Sequence, residues 1–122
     1  MGRFFIKQTT TGLMFDLVDA DKTVIATSQV YASIVTCKRG IHSVKLAAPV
    51  AGIENHTKDG VTPCKNPKFE IYQDHSNSYR FRLRAKNGQI IAISLSYKSY
   101  EECEATVLSV KENVVNAKIE EV

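Results

Sequence analysis

The chain lacks any apolar run near the roughly 18 residues that a membrane-spanning helix requires. Its first residues, "MGRFFIKQTT", lack the long hydrophobic stretch of a secretory leader. No membrane association and a cytoplasmic location are therefore expected. Cysteine is sparse and odd in number: Cys37, Cys64 and Cys103 form no CxxC pair and have no nearby histidine pair, which argues against a disulfide framework and against a zinc site. His42, His56 and His75 share no metal-ligand spacing. A glycine-rich phosphate loop, a Ser-His-Asp order and a paired-carboxylate motif are all missing. The expectation is a non-catalytic protein with no metal and no cofactor; an enzyme with a site at a repeat interface has no motif behind it. Charge of one sign is also lacking, since 16 basic residues against 13 acidic leave +3, mild beside the strongly basic domains that bind nucleic acid.

What the chain does have is one domain's length and an internal repeat. At 122 residues it can bury a core without disulfide or metal staples. A shift of 66 positions lays Val24 to Lys45 over Ile90 to Lys111, with Ile25, Ala26, Ser28, Tyr31, Ser33, Cys37 and "SVK" recurring as Ile91, Ala92, Ser94, Tyr97, Ser99, Cys103 and "SVK". Phe15 and Leu17 meet Phe81 and Leu83 at the same shift, whereas Phe4 and Ile6 meet Phe69 and Ile71 at a shift of 65. The first hairpin turns thus differ by one residue, a change that turns tolerate and paired strands do not.

Each copy reads alike. "FEIYQ" and "YRFRLRA" alternate with period two around the turn residues "DHSNS", and "KNGQ" supplies an Asn-Gly pair expected to form a type I′ turn into "IIAIS". The period then changes: Tyr100, Cys103, Val107, Val110 and Val114 share one helix face, as do Ile34, Cys37, Ile41, Val44 and Ala48. Ser33 and Ser99 are the predicted N-caps, with Glu102 completing a capping box for the second helix. "AGIENH" and "AKIEEV" follow as short fourth strands. The predicted organisation is α+β: two β-β-β-α-β repeats, residues 1–55 and 68–122, joined by a polar linker over 56–67 and sharing one core about a pseudo-twofold axis.

The run "KFEIYQDHSNSYRFRLRAKNGQIIAISLSYKS", followed by the cysteine and "SVK", closely resembles the repeat of the YegP-like proteins, small and mostly bacterial proteins of unknown function. The resemblance covers nearly the whole chain and is stronger in the second copy. It implies a single antiparallel-type sheet with helices packed on it and C-terminal strands exchanged between repeats. It carries no catalytic or binding residues. The first copy departs from the pattern in having "DADKTV" where the second has the Asn-Gly turn, and Asp16 where the second has Arg82.

One stretch stands out as a candidate surface: Arg80, Arg82 and Arg84 alternate with Phe81 and Leu83. Their counterparts are Met14, Asp16 and Val18, so the fold itself does not need them. If Ile71 faces Phe81, Glu70 lies opposite Arg82 and Tyr72 opposite Arg80, giving an ion pair and a cation-π contact. Residues 68–122 carry eight basic and eight acidic side chains and are neutral overall. A strict two-residue turn would place Ile91 and Ile93 beside these arginines, while a bulge would alter that register. Such a mixed face suits a partner or a homodimer; contact of Arg80, Arg82, Arg84 and Tyr72 with RNA or DNA phosphates is the alternative. Cys37 and Cys103 read as core, and Cys64 as a linker thiol without a base nearby.

Overall fold

The computed structural model describes residues 2–58 and 60–121. Eight strands and two helices follow in order: β1 (Arg3–Gln8), β2 (Leu13–Val18), β3 (Val24–Thr27), α1 (Ile34–Ala47), β4 (Gly52–Asn55), β5 (Lys68–Gln73), β6 (Tyr79–Arg84), β7 (Ile90–Ile93), α2 (Tyr100–Asn113) and β8 (Lys118–Glu121). The strands form one sheet in the order β4-β5-β6-β7-β3-β2-β1-β8. Each repeat thus builds half the sheet, and the halves join where Thr27 of β3 pairs with Ile93 of β7. The last strand of each repeat crosses over: β4 lies on β5 and β8 lies on β1.

The sheet is mixed rather than wholly antiparallel. Both exchanged strands pair in parallel with their hosts, which a hairpin cannot do; the long connections that parallel pairing needs are the linker between β4 and β5 and the rest of the chain between β1 and β8.

The turn at Asn87-Gly88 also differs from the type I′ expectation. Gly88, at φ 87°, donates its N–H to Ala85 O at 2.9 Å while Ala85 N–H reaches Gln89 O at 2.8 Å, a type I turn closed by one left-handed residue. Lys22 at φ 64° and Asn77 at φ 62° do the same in "DADKTV" and "DHSNS". The sequences differ, yet the backbone geometry is shared: Asp19 and Asp74 open their turns and accept a backbone N–H two residues on, whereas Ala85 opens the Gly88 turn and Asn87 within it accepts from Gln89 N–H.

Both helices cover one face, over a single core. Phe4 packs edge-on to Phe15 with centroids 5.6 Å apart, and Phe69 to Phe81 at 5.7 Å; all four are fully buried, beside Cys37, Ile41 and Val44 from α1 and Cys103, Val107 and Val110 from α2. Burial pushes the Cys103 thiol up to about 12 and raises that of Cys37, so both act as small apolar groups. Ser33 caps α1 with a full capping box through Thr36. Ser99 caps α2 through Glu102 N–H alone, so the reciprocal contact lies in the first repeat and not in the second. Gly40 has a packing reason: a Cβ there would lie 2.2 Å from the Tyr31 hydroxyl oxygen.

The recurring lysine of "SVK" closes the exchange. Lys45 of α1 donates to Ala117 O at 2.7 Å, just before β8, and Lys111 of α2 donates to Ala51 O at 2.5 Å, just before β4. Their ammonium groups also lie 5.8 Å and 5.9 Å from the Phe4 and Phe69 ring centroids. Each helix thereby holds the strand entering its own half of the sheet. Lys111→Met leaves the buried Ala51 carbonyl without this partner, and urea denaturation is expected to register a loss of about 1–3 kcal/mol; unchanged stability would mean the contact is idle. Gly40→Ala, which helix propensity alone would favour by about 1 kcal/mol, is expected to melt lower than the parent.

Candidate functional site: a charge network on the uncovered sheet face

With the helices on one side, alternate strand residues point to the other, uncovered face. Its central row runs across all eight strands as Glu54, Glu70, Arg82, Ile93, Thr27, Asp16, Phe5 and Glu120. The cross-strand pairs Glu70–Arg82, Ile71–Phe81 and Tyr72–Arg80 are those expected from the alternation. The register shifts between Leu83 and Arg84, so the isoleucines split: Ile91 is buried, while Ile90 and Ile93 are 36% and 41% exposed. Only the latter two border the arginines. β2 has the same shift, between Leu17 and Val18.

The arginines are held by carboxylates. Arg82 Nε and Arg84 Nε reach the same oxygen of Glu70 at 2.5 Å and 2.7 Å, and Arg80 Nε reaches Asp74 at 2.6 Å. The cation over the Tyr72 ring is Arg82, 4.7 Å from its centroid, rather than the directly opposite Arg80. Arg80 instead turns toward the hairpin carboxylate, a stronger attraction than a ring face. Exchange then brings in residues distant in sequence. Glu54 of β4 lies beside Glu70 and is 4% exposed. It accepts from Lys68 Nζ at 2.9 Å and from the linker's Cys64 N–H at 2.6 Å, while His56 Nε2 lies 2.5 Å from its other oxygen. An ionised carboxylate only accepts, so that histidine nitrogen carries its proton.

Lys68 and Cys64 hold the Glu54 carboxyl down at about 2. Burial would push Glu70 up, but the hydrogen bonds from Arg82 and Arg84 leave it below the ordinary carboxylate range. Both acids are thus charged at neutral pH.

Glu54, His56 and Glu70 offer ligand atoms within 4.8 Å of one another, the geometry of a cation site. Lys68 already supplies the cation, at 2.9 Å from Glu54 and 3.5 Å from Glu70. With Arg82 and Arg84 the network has one positive charge more than its two carboxylates before His56 is counted, so a metal ion would meet net repulsion. His42 and His75 lie elsewhere, on α1 and in the β5–β6 turn. Cys64 rests against the outer edge of β4, its thiol donating to Ile53 O at 3.5 Å.

The other half of the face has the same backbone and different chemistry. The positions of Glu70, Arg80 and Arg84 are taken by Phe5, Met14 and Val18, all directed to this face through their pairing with Asp16, Lys7 and Arg3. Among the described residues the outer ion pair has a counterpart, Arg3–Glu120 at 3.1 Å for Lys68–Glu54, and a further pair, Lys7–Asp16 at 2.7 Å, stands where the other half has Tyr72 and Arg82. Sequence inspection gave no site role to Glu54 or Lys68 and found no ligand spacing for His56, although the shared acid in "GIEN" and "KIEE" was a signal.

The family model described as "Domain of unknown function (DUF1508)" matches the chain twice, over residues 11–55 and 74–121. The chain belongs to this family. A UPF0339 protein of Methanosarcina acetivorans is 62% identical over 52 residues, which are 43% of this chain and 90% of that protein. UPF0339 protein PA0329 of Pseudomonas aeruginosa is 31% identical over 110 residues, 89% of this chain and 86% of that one. The solution structure of yegP from E. coli, itself described as a protein of unknown function, superposes with a TM-score of 0.80 at 24% identity over 98% of this chain and 91% of that one. The likeness to yegP extends to the fold. The family is one of unknown function and no specific activity attaches to it. Among the described residues no helix is long and apolar enough to cross a membrane.

Acid should undo the network. Carboxyls held below their unfolded values stabilise the fold fully above about pH 4.5, and that contribution fades as pH falls toward the folded value of about 2 for Glu54. Chemical denaturation across this window should show a steep loss in the parent and a shallower one in Glu54→Gln, which is already weaker at neutral pH. Parallel profiles would place the acid sensitivity elsewhere.

Proposed function

We propose that this protein is a non-catalytic binding module that presents the uncovered face of its sheet to a protein partner. The observation carrying this reading is the apolar group of half-buried Phe5 and Met14 with exposed Ile93 on that face, bordered by the Lys7–Asp16 and Arg3–Glu120 pairs on one side and by the Arg82–Glu70 network on the other. A surface with an apolar centre and paired charges around it is the composition of a protein interface. Glu54 and Glu70 are held ionised by cations, whereas a carboxyl acting as general acid or base needs a pKa near the working pH.

Nucleic-acid binding through Arg80, Arg82, Arg84 and Tyr72 is less well supported. Each arginine has a carboxylate within 2.7 Å, and Tyr72 lies under Arg82, so a phosphate would compete with partners already in place. Phosphate contacts would reveal themselves by binding that weakens steeply with salt.

Capture from source cells separates these readings. Species retained by the parent should be lost with Phe5→Glu or Ile93→Glu and kept with Leu108→Glu, a change on the exposed side of α2. Equal retention by all three variants, or salt-sensitive retention of oligonucleotides that vanishes when the three arginines become Gln, would overturn the proposal.

A further inference from the structure

The two outer strands are pseudo-symmetric and finish differently. β4 is closed on its outer side by the chain's own linker: Cys64 donates its thiol to Ile53 O at 3.5 Å and its backbone N–H to Glu54 at 2.6 Å, and its sulfur lies 3.6 Å from where a Cβ on Gly52 would be. β8 ends the strand order on the opposite side, and among the described residues no strand pairs with its outer edge. Ile119, in its middle, is 39% exposed. Its counterpart Ile53 is half-buried.

Edge strands are commonly guarded by charge, and three of the four residues of β8 are charged. Their order matters here. Lys118 and Glu120 share the uncovered face with Arg3 and Phe5, while Ile119 lies with Phe4 on the helix side. An antiparallel copy of β8 can match faces only in registers that pair residues of like orientation. Pairing Ile119 with itself sets Lys118 against Glu120 of the second copy, twice over. Sliding by one step either way sets Glu120 against Glu120 or Lys118 against Lys118 at the axis. Opposite charges directly across strands attract and like charges repel, so one register is selected. Its centre is the exposed isoleucine.

We propose that β8 is a homodimerisation edge, at which two copies of this chain join antiparallel about Ile119 with reciprocal Lys118–Glu120 pairs. The twofold axis stands perpendicular to the sheet. Each eight-stranded sheet continues into its partner as a sixteen-stranded one, and both uncovered faces end on the same side. This assembly is independent of what the uncovered face binds, because β8 pairing leaves Phe5, Ile93 and the arginines untouched.

Sedimentation of the full chain at high micromolar concentration tests the edge directly. The parent should sediment as two chains. Lys118→Glu and Glu120→Lys should each sediment as one, since each places like charges across both pairs. An equimolar mixture of those two variants should recover the two-chain species, because each supplies the sign the other lacks, and the double variant Lys118→Glu/Glu120→Lys should recover it alone. Circular dichroism melts confirm that each variant is folded; Glu120→Lys gives up only the exposed contact with Arg3. A one-chain parent, or a dimer indifferent to both single changes, would overturn the proposal. A dimer broken by one change but not restored in the mixture would equally rule out this register.

Discussion

Everything in this fold depends on the exchange of β4 and β8, because neither half of the sheet is complete without a strand from the other repeat. Beside the parallel ladders that dock each exchanged strand, a last-turn lysine on each helix donates to the carbonyl where the incoming strand begins. A lysine suits this place because its stem crosses the phenylalanine beneath it while its head reaches a backbone oxygen. The lysine comes from the helix of the host repeat and the carbonyl from the guest strand. Local order in one repeat is therefore tied to the other.

The same exchange creates the charge network. Glu70, Arg82 and Arg84 belong to one hairpin, but Glu54 and His56 arrive with the guest strand and Cys64 with the linker that follows it. Two buried carboxylates side by side would repel strongly if left alone; three cations and a backbone N–H make the pair tolerable. The cations in turn are spoken for. The pattern that reads in sequence as an arginine surface is, in three dimensions, the counterion layer of Glu70 and Asp74.

Fold and surface have separated along the repeat. Buried positions are kept in kind, Phe4 with Phe69, Phe15 with Phe81, Cys37 with Cys103, because both copies fill one core. Outward positions on the same strands are free of that constraint, and there Phe5 stands where Glu70 stands and Val18 where Arg84 stands. A pseudo-symmetric molecule thus carries an asymmetric face: two buried carboxylates among three cations on one half, Phe5 and Met14 beside the Lys7–Asp16 and Arg3–Glu120 pairs on the other.

Sequence alone determined the repeat, the α+β class, every strand and helix, and the core stripe on each helix, and with Ile71 set opposite Phe81 it gave the β5–β6 pairs that the structure has. These follow from local periodicity and from a comparison of the chain with itself. Tertiary structure decided the rest. Whether Ile91 faces in or out rested on a bulge between Leu83 and Arg84, a one-residue event that leaves no mark on an apolar run. The turn at Gly88 took its type from a hydrogen bond to Ala85, not from the Asn-Gly pair itself. Arg80 chose Asp74 over Tyr72 because a carboxylate lay within reach. Glu54 and Lys68 could be read as a pair only once β4 was known to lie on β5, since periodicity tells which way a side chain points along its own strand and pairing alone tells what stands beside it.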